Sequence, residues 1–556
     1  MNNVIIVQPD KCTGCNACVR VCPASEANII KKLDNGRTIT EVNAGKCIGC
    51  GACIKACKNN ARDYKDDTEE CIANMESKKF IVLVDPAIKS VFPTKWKGIL
   101  DWFRRKKGCF IFDVSYGADI YTWATLRAIQ QNIISQSAIS SVCPSVVKYI
   151  ENYKPELIKY LSPIQSPVGC EIVFLKKYKK RNNPIVILSP CISKKMETDD
   201  ISMGDYCITF KKLEEYFERN DIKIPSNSTD DFVYDYDDES GQLGNLFTRS
   251  GGLRDVLWAQ NPELNIASDA GINSVFPSLN DYLEINVKKM PKIYDVLSCN
   301  NGCCGGAGTG DEITTFEIVS GMHKVENDIL KKRKGSLISK SDEKMLRKFD
   351  DEFTLTDFLR SYKATASPAL SDEELDSAFE SMGMNSPESR HSDCGMCGYK
   401  TCTEMATAIH RNLNFAENCR MCTAVANKNS TNAPAEDSGK NEKLKKNCLG
   451  IVGNLKEKTD EITKYLLAYE NVNIETAKKL EMIGNLINNI ITFCNDHETM
   501  DKASVGQLIK ILQTTYSGFS GVMENSAENE KSSQSIKECM KNINTLVENI
   551  NSTLNL

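Results

Sequence analysis

Cysteine spacing constrains the fold of this 556-residue chain more than any other feature of its sequence. The chain contains 25 cysteines and only four histidines, so its metal ligands are expected to be thiolates. Near the start, the spacing Cys-x2-Cys-x2-Cys-x3-Cys occurs twice, at residues 12–22 and at residues 47–57. In a domain with two such runs, the fourth cysteine of each run binds the cluster of the other run. The repeat therefore predicts two [4Fe-4S] clusters in an α+β ferredoxin-like domain over residues 1–75.

This rule divides the eight cysteines between two predicted sites. The first ferredoxin-type site contains Cys12, Cys15, Cys18 and Cys57, and the second ferredoxin-type site contains Cys22, Cys47, Cys50 and Cys53. Zinc binding and disulfide formation are the alternatives, and both fit eight cysteines at these spacings poorly.

Four more cysteines lie far apart in the middle of the chain and form a predicted central site. They are Cys143 in SSVCPSVV, Cys191 in PCISKKME, and Cys299 and Cys303 in SCNNGCCGGAG. Four thiolates are enough to bind one further cubane cluster. The surrounding segments FIVLVDPAI, CFIFDVS and PIVILSPC are typical of buried strands and alternate with amphipathic helical patterns. We therefore predict an α/β domain over residues 76–363.

The last part of the chain contains a fourth cysteine group and a long helical tail. The fourth site consists of Cys394, Cys397, Cys402 and Cys419, in a small cluster-binding domain over residues 380–422. A zinc ion bound by the same four cysteines is the alternative to a cluster. Residues 423–440 have the composition of a linker. Residues 441–556 show heptad-spaced apolar positions, which predict an all-α helical bundle or coiled coil. Because the apolar seams are narrow, we expect the tail to form a homodimer.

Charge and hydropathy limit the binding partners and the cellular location that we expect for the protein. The net charge is −5, from 69 basic and 74 acidic residues, so no basic field points to nucleic acid. The longest apolar runs have the length of a strand, whereas a membrane span needs about 20 apolar residues. We therefore expect neither a nucleic-acid partner nor a membrane, and a cytoplasmic protein whose thiols stay reduced.

At the central site the chain resembles the large-subunit domain of the [FeFe]-hydrogenases. The signature loops of that family are approximately TSCCPxW, MPCxxKxxE and ExMACxxGCxxGGG, and here they read SSVCPSV, SPCISKKME and DVLSCNNGCCGGAG. The resemblance implies that the four central cysteines hold a cubane and that Cys303 also bridges to a two-iron subsite with CO, cyanide and a dithiolate. It further implies that Lys194 hydrogen-bonds one cyanide, and that the backbone of Pro86 and Ala87 contacts the other.

The departures from the family pattern concern proton transfer. Val142 stands where catalytic members have a second cysteine that carries protons, and the segment IYTWATLRA lacks the acidic residues of their relay. Ser162 and Glu197, at two other relay positions, are retained. Positioned proton transfer contributes typically about 10²–10⁴-fold to a rate. A site that keeps its ligands but lacks the first proton carrier should bind hydrogen with low turnover, which is the profile of a sensor.

Three functions remain open from the sequence. The first is a hydrogen or redox sensor of low turnover, and the second is a catalytic, ferredoxin-linked hydrogenase that uses another proton path. The third is a non-catalytic iron–sulfur assembly or carrier protein without the two-iron subsite. The expected ligands and partners are H₂, protons and a redox partner such as ferredoxin or a signalling protein. The fourth site also resembles the small cubane domain of regulatory members, and the tail weakly resembles signalling helices of chemotaxis-type receptors.

Overall fold

The computed structural model describes residues 4–227, 236–310, 313–387 and 389–419. These residues belong to the first of two units into which the chain divides, residues 1–429. The predicted linker and helical tail, residues 423–440 and 441–556, lie outside the described residues. Within the described ranges, no helix combines the length and the apolar character that a membrane span requires.

The N-terminal domain consists of two antiparallel strand pairs and two one-turn helices, as expected for a small α+β domain. Its elements are β1 (Ile5–Val7), α1 (Ala17–Arg20), β2 (Asn28–Lys32), β3 (Thr38–Val42), α2 (Ala52–Lys55) and β4 (Arg62–Tyr64). Strand β1 pairs with β4 and β2 pairs with β3. Each one-turn helix follows a residue in the left-handed conformation, Asn16 (φ 58°) before α1 and Gly51 (φ 75°) before α2. The two cysteine runs therefore fold in the same way locally.

The central domain is built on two parallel sheets. Its strands are β5 (Ile81–Val84), β6 (Phe110–Asp113), β7 (Ala138–Ile139), β8 (Ile185–Ser189), β9 (Tyr206–Thr209), β10 (Ile266–Ala270) and β11 (Ile293–Leu297). One sheet has the order β6-β5-β8-β9 and the other the order β10-β11-β7. Strands β5 and β8 are buried along their whole length, as expected for parallel strands with both faces covered. The α/β architecture predicted from the apolar runs is confirmed for this domain.

Helices pack on both sheets. They are α3 (Thr68–Asn74), α4 (Ile88–Val91), α5 (Trp96–Asp101), α6 (Val114–Gln130), α7 (Pro144–Tyr153), α8 (Pro167–Val173), α9 (Ser193–Ile201), α10 (Phe210–Arg219), α11 (Gly252–Gln260), α12 (Ile272–Asp281), α13 (Thr315–Lys332) and α14 (Lys340–Glu352). The longest helix of the core, α6, is buried over most of its length, and Trp123 on it packs edge-on against Phe349, Phe353 and Phe358.

The small domain contains α15 (Asp372–Ser381) and α16 (Cys402–His410). A capping box of Ser371 and Glu374 begins α15, upstream of the predicted boundary at residue 380. The core of this domain is shared with the N-terminal domain, because Val19 and Ile30 pack in the same apolar cluster as Phe379 and Met405. The small domain therefore packs against the ferredoxin-type domain, where the amide of Ile30 donates to the carbonyl of Leu413 at 2.8 Å.

Candidate metal centres

The carboxyl ends of three parallel strands position the central site. Cys191 follows β8 by two residues, Cys299 follows β11 by two residues, and Cys143 lies between β7 and α7. In open parallel sheets, ligands bind beyond the carboxyl ends of the strands. The strand ends of the two sheets thus bring together three segments that are far apart in the sequence.

One cavity contains all four cysteines of the central site. Its lining includes Cys143, Cys191, Cys299 and Cys303 together with Asp85, Val142, Lys194, Leu297 and Ser298. Burial, together with the neighbouring Cys143, raises the pKa of Cys191 to about 12 and that of Cys299 to about 11. Buried thiols gathered in this way become thiolate ligands when a metal group compensates their charge. The donor set therefore fits an iron–sulfur cluster.

The second and third cysteine loops are tied together by their backbones. The amide of Gly308 donates to the carbonyl of Pro190 at 3.0 Å, next to Cys191. The amide of Gly306 donates to the carbonyl of Cys303 at 2.9 Å, which closes the tight turn after that cysteine. Cys304, the neighbour of Cys303, is fully buried and is not part of the cavity lining.

Lys194 projects into the same cavity and forms a buried ion pair. Its Nζ lies 2.6 Å from Oε2 of Glu197, while Nη1 of Arg360 lies 3.7 Å from Oε1 of the same carboxylate. Burial acts to lower the pKa of Lys194, but the Glu197 carboxylate outweighs it, so the pKa is raised. Lys194 therefore keeps its positive charge beside the four cysteines.

The second ferredoxin-type site lies beside the central site. Cys50 lines the same cavity as the four central cysteines, and the hydroxyl of Ser193 donates to the carbonyl of Gly49 at 2.8 Å. A Cβ at Gly51 would lie 2.3 Å from the Cβ of Ala307, so only glycine allows this approach of the two loops. The two predicted sites are consequently packed against each other.

Cys22 lies near the cysteines of the second run. Burial, together with the neighbouring Cys53 and Cys47, raises the pKa of Cys22 to about 12. Cys50 interacts electrostatically with Cys22, Cys53 and Cys47. The membership of the second ferredoxin-type site stays a prediction.

The fourth site forms a separate cavity in the small domain. Its lining includes Cys394, Cys397, Cys402 and Cys419. The amide of Asp393 donates to Sγ of Cys402 at 3.3 Å, and the carboxylate of Asp393 accepts from the amide of Cys402 at 2.6 Å. This pair of bonds fixes the turn that presents Cys402 to the cavity.

The fourth site faces the first ferredoxin-type site. Cys18 lies in the same apolar cluster as Cys397, Cys402 and Cys419. A Cβ at Gly398, where φ is +98°, would lie 2.8 Å from the Cβ of Val19, so the two domains are in close contact there. Of the four predicted sites, the second ferredoxin-type site therefore packs against the central site, and the first ferredoxin-type site packs against the fourth.

No three His, Cys, Asp or Glu side chains in the described ranges are gathered closely enough to bind a single metal ion. A cubane cluster does not require such a set, because each of its four cysteines binds a different iron.

Comparison with known proteins finds two matching families. Residues 78–307 match the family model for the C-terminal domain of the iron only hydrogenase large subunit, and residues 4–58 match a 4Fe-4S dicluster domain. Over 249 residues, 36% of this chain and 42% of the relative, the chain is 27% identical to iron hydrogenase 1 of Clostridium pasteurianum. Residues 78–307 are therefore similar to the [FeFe]-hydrogenase large subunit.

Other relatives of this family differ in their described roles. The chain is 27% identical over 278 residues to the periplasmic [Fe] hydrogenase large subunit of Nitratidesulfovibrio vulgaris, covering 44% of this chain and 65% of that protein. It is 24% identical over 234 residues to the cytosolic Fe-S cluster assembly factor NAR1 of Encephalitozoon cuniculi, covering 38% and 63%. The matches thus span less than two thirds of each relative. A variant [FeFe]-hydrogenase structure from Chlamydomonas reinhardtii aligns with a TM-score of 0.43 and 16% identity over 55% of this chain and 100% of that chain.

Some of the residues expected from the [FeFe]-hydrogenase pattern line the cavity, and others do not. Val142 and Lys194 line it. Pro86 and Ala87 follow β5 but do not form part of the lining, and the amide of Ala87 donates to Oδ1 of Asp85 at 3.0 Å. Ser162 is buried elsewhere, where its carbonyl accepts from the hydroxyl of Tyr362 at 2.5 Å. The roles assigned to these residues by resemblance stay predictions.

Two lining residues were not found from the sequence. Asp85 accepts from the hydroxyl of Ser189 at 3.2 Å, and Sγ of Cys143 donates to the hydroxyl of Ser298 at 3.5 Å. Burial raises the pKa of Asp85, although the amide of Ala87 and the charge of Lys194 oppose it. In the sequence, Asp85 could have been found as a polar residue at the end of a buried strand. Ser298 could have been found only from its position beside Cys299.

Proposed function

We propose that this chain is an iron–sulfur redox protein that binds and activates H₂ (H₂ = 2 H⁺ + 2 e⁻) at the central site with low turnover, as a hydrogen or redox sensor. One observation supports it above all: four cysteines and a charged lysine share one cavity, and the residue beside Cys143 in that cavity is Val142. The ligands of the family are present, but the first proton carrier is replaced by an apolar side chain.

Each residue of the central site would have its own role. Cys143, Cys191, Cys299 and Cys303 would hold the cubane, and Cys303 would also bind the two-iron subsite. When bound, that group would supply the hydrogen chemistry. Lys194 would present a fixed positive charge to an anionic ligand within the cavity.

Proton movement away from the cavity is restricted by two features. Val142 has no exchangeable proton. Glu197, the nearest retained relay position, has both carboxylate oxygens engaged by cations, one by Lys194 at 2.6 Å and the other by Arg360 at 3.7 Å. General acid–base groups must be able to accept and release a proton in turn. The low-turnover proposal rests on these two features, the apolar side chain of Val142 and the engaged carboxylate of Glu197, and not on the loss of any metal ligand.

A second candidate function is iron–sulfur assembly or transfer without hydrogen chemistry. It is favoured by the relative described as a cytosolic Fe-S cluster assembly factor, which aligns over 38% of this chain. In that case the central site would bind a cubane alone. The catalytic, ferredoxin-linked hydrogenase would instead require a proton path that avoids Val142.

Infrared spectroscopy separates these candidates. After anaerobic maturation, the sensor and the hydrogenase should both show bands of CO and cyanide, whereas an assembly protein should show none. Cys303→Ser should abolish the bands and retain the iron of the two ferredoxin-type sites. The matched control is Cys304→Ser, because Cys304 is adjacent and fully buried but does not line the cavity. Absence of bands in the matured wild-type protein would refute the proposal.

Turnover then distinguishes the sensor from the hydrogenase. We expect H₂ binding, seen as a shift of the infrared bands under H₂, together with slow H₂ oxidation and evolution. A rate typical of catalytic members would refute the sensor function. We further propose a ferredoxin or a signalling protein as redox partner, a cytoplasmic location, and dimerisation through the tail.

A further inference from the structure

A buried arginine lies between the two ferredoxin-type sites. Arg62 begins β4, and its side chain is 6% exposed. Its Nη2 donates to Oδ1 of Asn28 at 2.9 Å and to the carbonyl of Thr40 at 3.5 Å. Asn28 and Thr40 belong to β2 and β3, so the guanidinium is held at a fixed place by both strands of the second pair.

The groups around this guanidinium are cysteine sulfurs of both sites. Three thiols interact electrostatically with its charge: Cys18 of the first ferredoxin-type site, and Cys53 and Cys22 of the second. In the described ranges it forms no ion pair with a carboxylate. Burying a charge without a partner is costly. The anionic partners available to Arg62 are therefore the two cluster sites themselves.

A fixed positive charge at this place affects electron binding. A cluster gains one negative charge on reduction, so a neighbouring cation stabilises the reduced form more than the oxidised form. Net charge and hydrogen bonds to the sulfurs are among the factors that set cluster potentials. The effect is strong inside a protein because the low dielectric weakens screening.

We propose that Arg62 is a potential-setting residue shared by the two ferredoxin-type sites. It stabilises the reduced form of both clusters and so raises the midpoint potential of each. This role is independent of the chemistry at the central site. It concerns how readily the domain accepts two electrons.

A purely structural role of Arg62 makes a different prediction. If the residue only joined β2 and β3 through Asn28 and Thr40, its replacement would lower stability and iron content without a directed change in potential. Arg62→Gln removes the charge and keeps hydrogen-bonding capacity, whereas Arg62→Lys keeps a charge but loses the planar fork that reaches several partners at once. The two variants therefore separate charge from anchoring.

The test is a redox titration of the full-length, cluster-loaded protein, followed by electron paramagnetic resonance. In Arg62→Gln we expect both midpoint potentials to move to more negative values. Arg62→Lys should shift both less. The matched control is Arg20→Gln, which removes a charge from an exposed position of the same domain and should leave both potentials unchanged because water screens that charge.

Three results would overturn the proposal. They are unchanged potentials in Arg62→Gln with its iron retained, a shift at only one of the two clusters, and a shift in Arg20→Gln as large as that in Arg62→Gln. If Arg62→Gln fails to retain its iron, Arg62→Lys decides, because it keeps the charge and loses the fork. Retained iron with both potentials close to those of the wild-type protein would support the shared charge, whereas loss of iron in Arg62→Lys as well would overturn the proposal and show that anchoring is the role of Arg62.

Discussion

Replacement of Val142 by cysteine tests whether the missing proton carrier limits turnover. Val142 is 8% exposed and lines the central cavity beside Cys143. Val142→Cys removes about one methyl group from a buried position, which costs about 1 kcal/mol of stability. It places an exchangeable proton in the cavity. The fold and the metal content should therefore survive the change.

The size of the gain follows from the next positions along the path. A complete proton relay is worth about 10²–10⁴-fold, or about 2.7–5.4 kcal/mol of barrier. Here the relay would still end at Glu197, whose two oxygens face Lys194 at 2.6 Å and Arg360 at 3.7 Å. We therefore expect Val142→Cys to raise H₂ turnover by no more than about 10²-fold. Adding Arg360→Met, which frees one oxygen of Glu197, should raise it further.

The assay is H₂ evolution with a one-electron donor, on proteins matched for infrared bands and iron content. Val142→Ala is the control, because it opens at least as much space without supplying a proton and should leave turnover unchanged. Two outcomes would refute the reasoning. One is an unchanged or lower rate in Val142→Cys with intact clusters, and the other is an equal gain in Val142→Ala, which would show that space rather than the proton limits the rate.

Further predictions concern stability, metal content and assembly. Burial raises the pKa of Asp119 to about 7, so between about pH 4 and about pH 7 the folded chain holds a proton that the unfolded chain releases. Stability should fall as pH rises through that window, by up to about 4 kcal/mol from this group, and Asp119→Asn should flatten the decline in melting temperature. Gly51→Ala combines a left-handed φ of 75° with a clash at 2.3 Å and should lower the melting temperature more than Gly36→Ala, where φ is 79° and nothing lies within 4 Å; equal losses would contradict the close approach. Cys402→Ser should remove about four irons and leave the infrared bands of the central site, whereas zinc there with unchanged iron would refute a cluster. Truncation after Cys422 should give a monomer that keeps its clusters, and light scattering that still shows a dimer would place the interface elsewhere.

Local spacing predicts the ligand sets of the two ferredoxin-type sites and of the fourth site, and these sets stay predictions. Each of the two cysteine runs contains a short helix preceded by a left-handed residue, Asn16 in one run and Gly51 in the other. We attribute this shared turn to the three-residue spacing of the cysteines that bind one cluster. The parallel strands were likewise predictable, since β5 and β8 are continuous apolar runs and strands buried on both faces need no polar alternation.

The environment of the central site was less predictable. Asp85 and Ser298 line the cavity only because β5 and β11 end at the same side of the molecule. Pro86 and Ala87, expected from resemblance to contact a ligand, follow β5 beside the cavity without lining it. Side-chain direction at a strand end depends on the loops that pack over it, and those loops come from distant parts of the chain.

The sequence by itself determined which cysteines form each set, because ligands of a cluster are selected by covalent spacing and by the chemistry of the thiolate. Only the tertiary structure decided how the sets are ordered in space. Contact between Gly51 and Ala307 brings the second ferredoxin-type site to the central site, and contact between Gly398 and Val19 brings the fourth site to the first. The same packing buries Arg62 between two sets of sulfurs. These arrangements depend on how closely two backbones approach and on which strand edges meet. Both depend on residues that are not neighbours in the sequence, some of them hundreds of positions apart, so no local pattern records them.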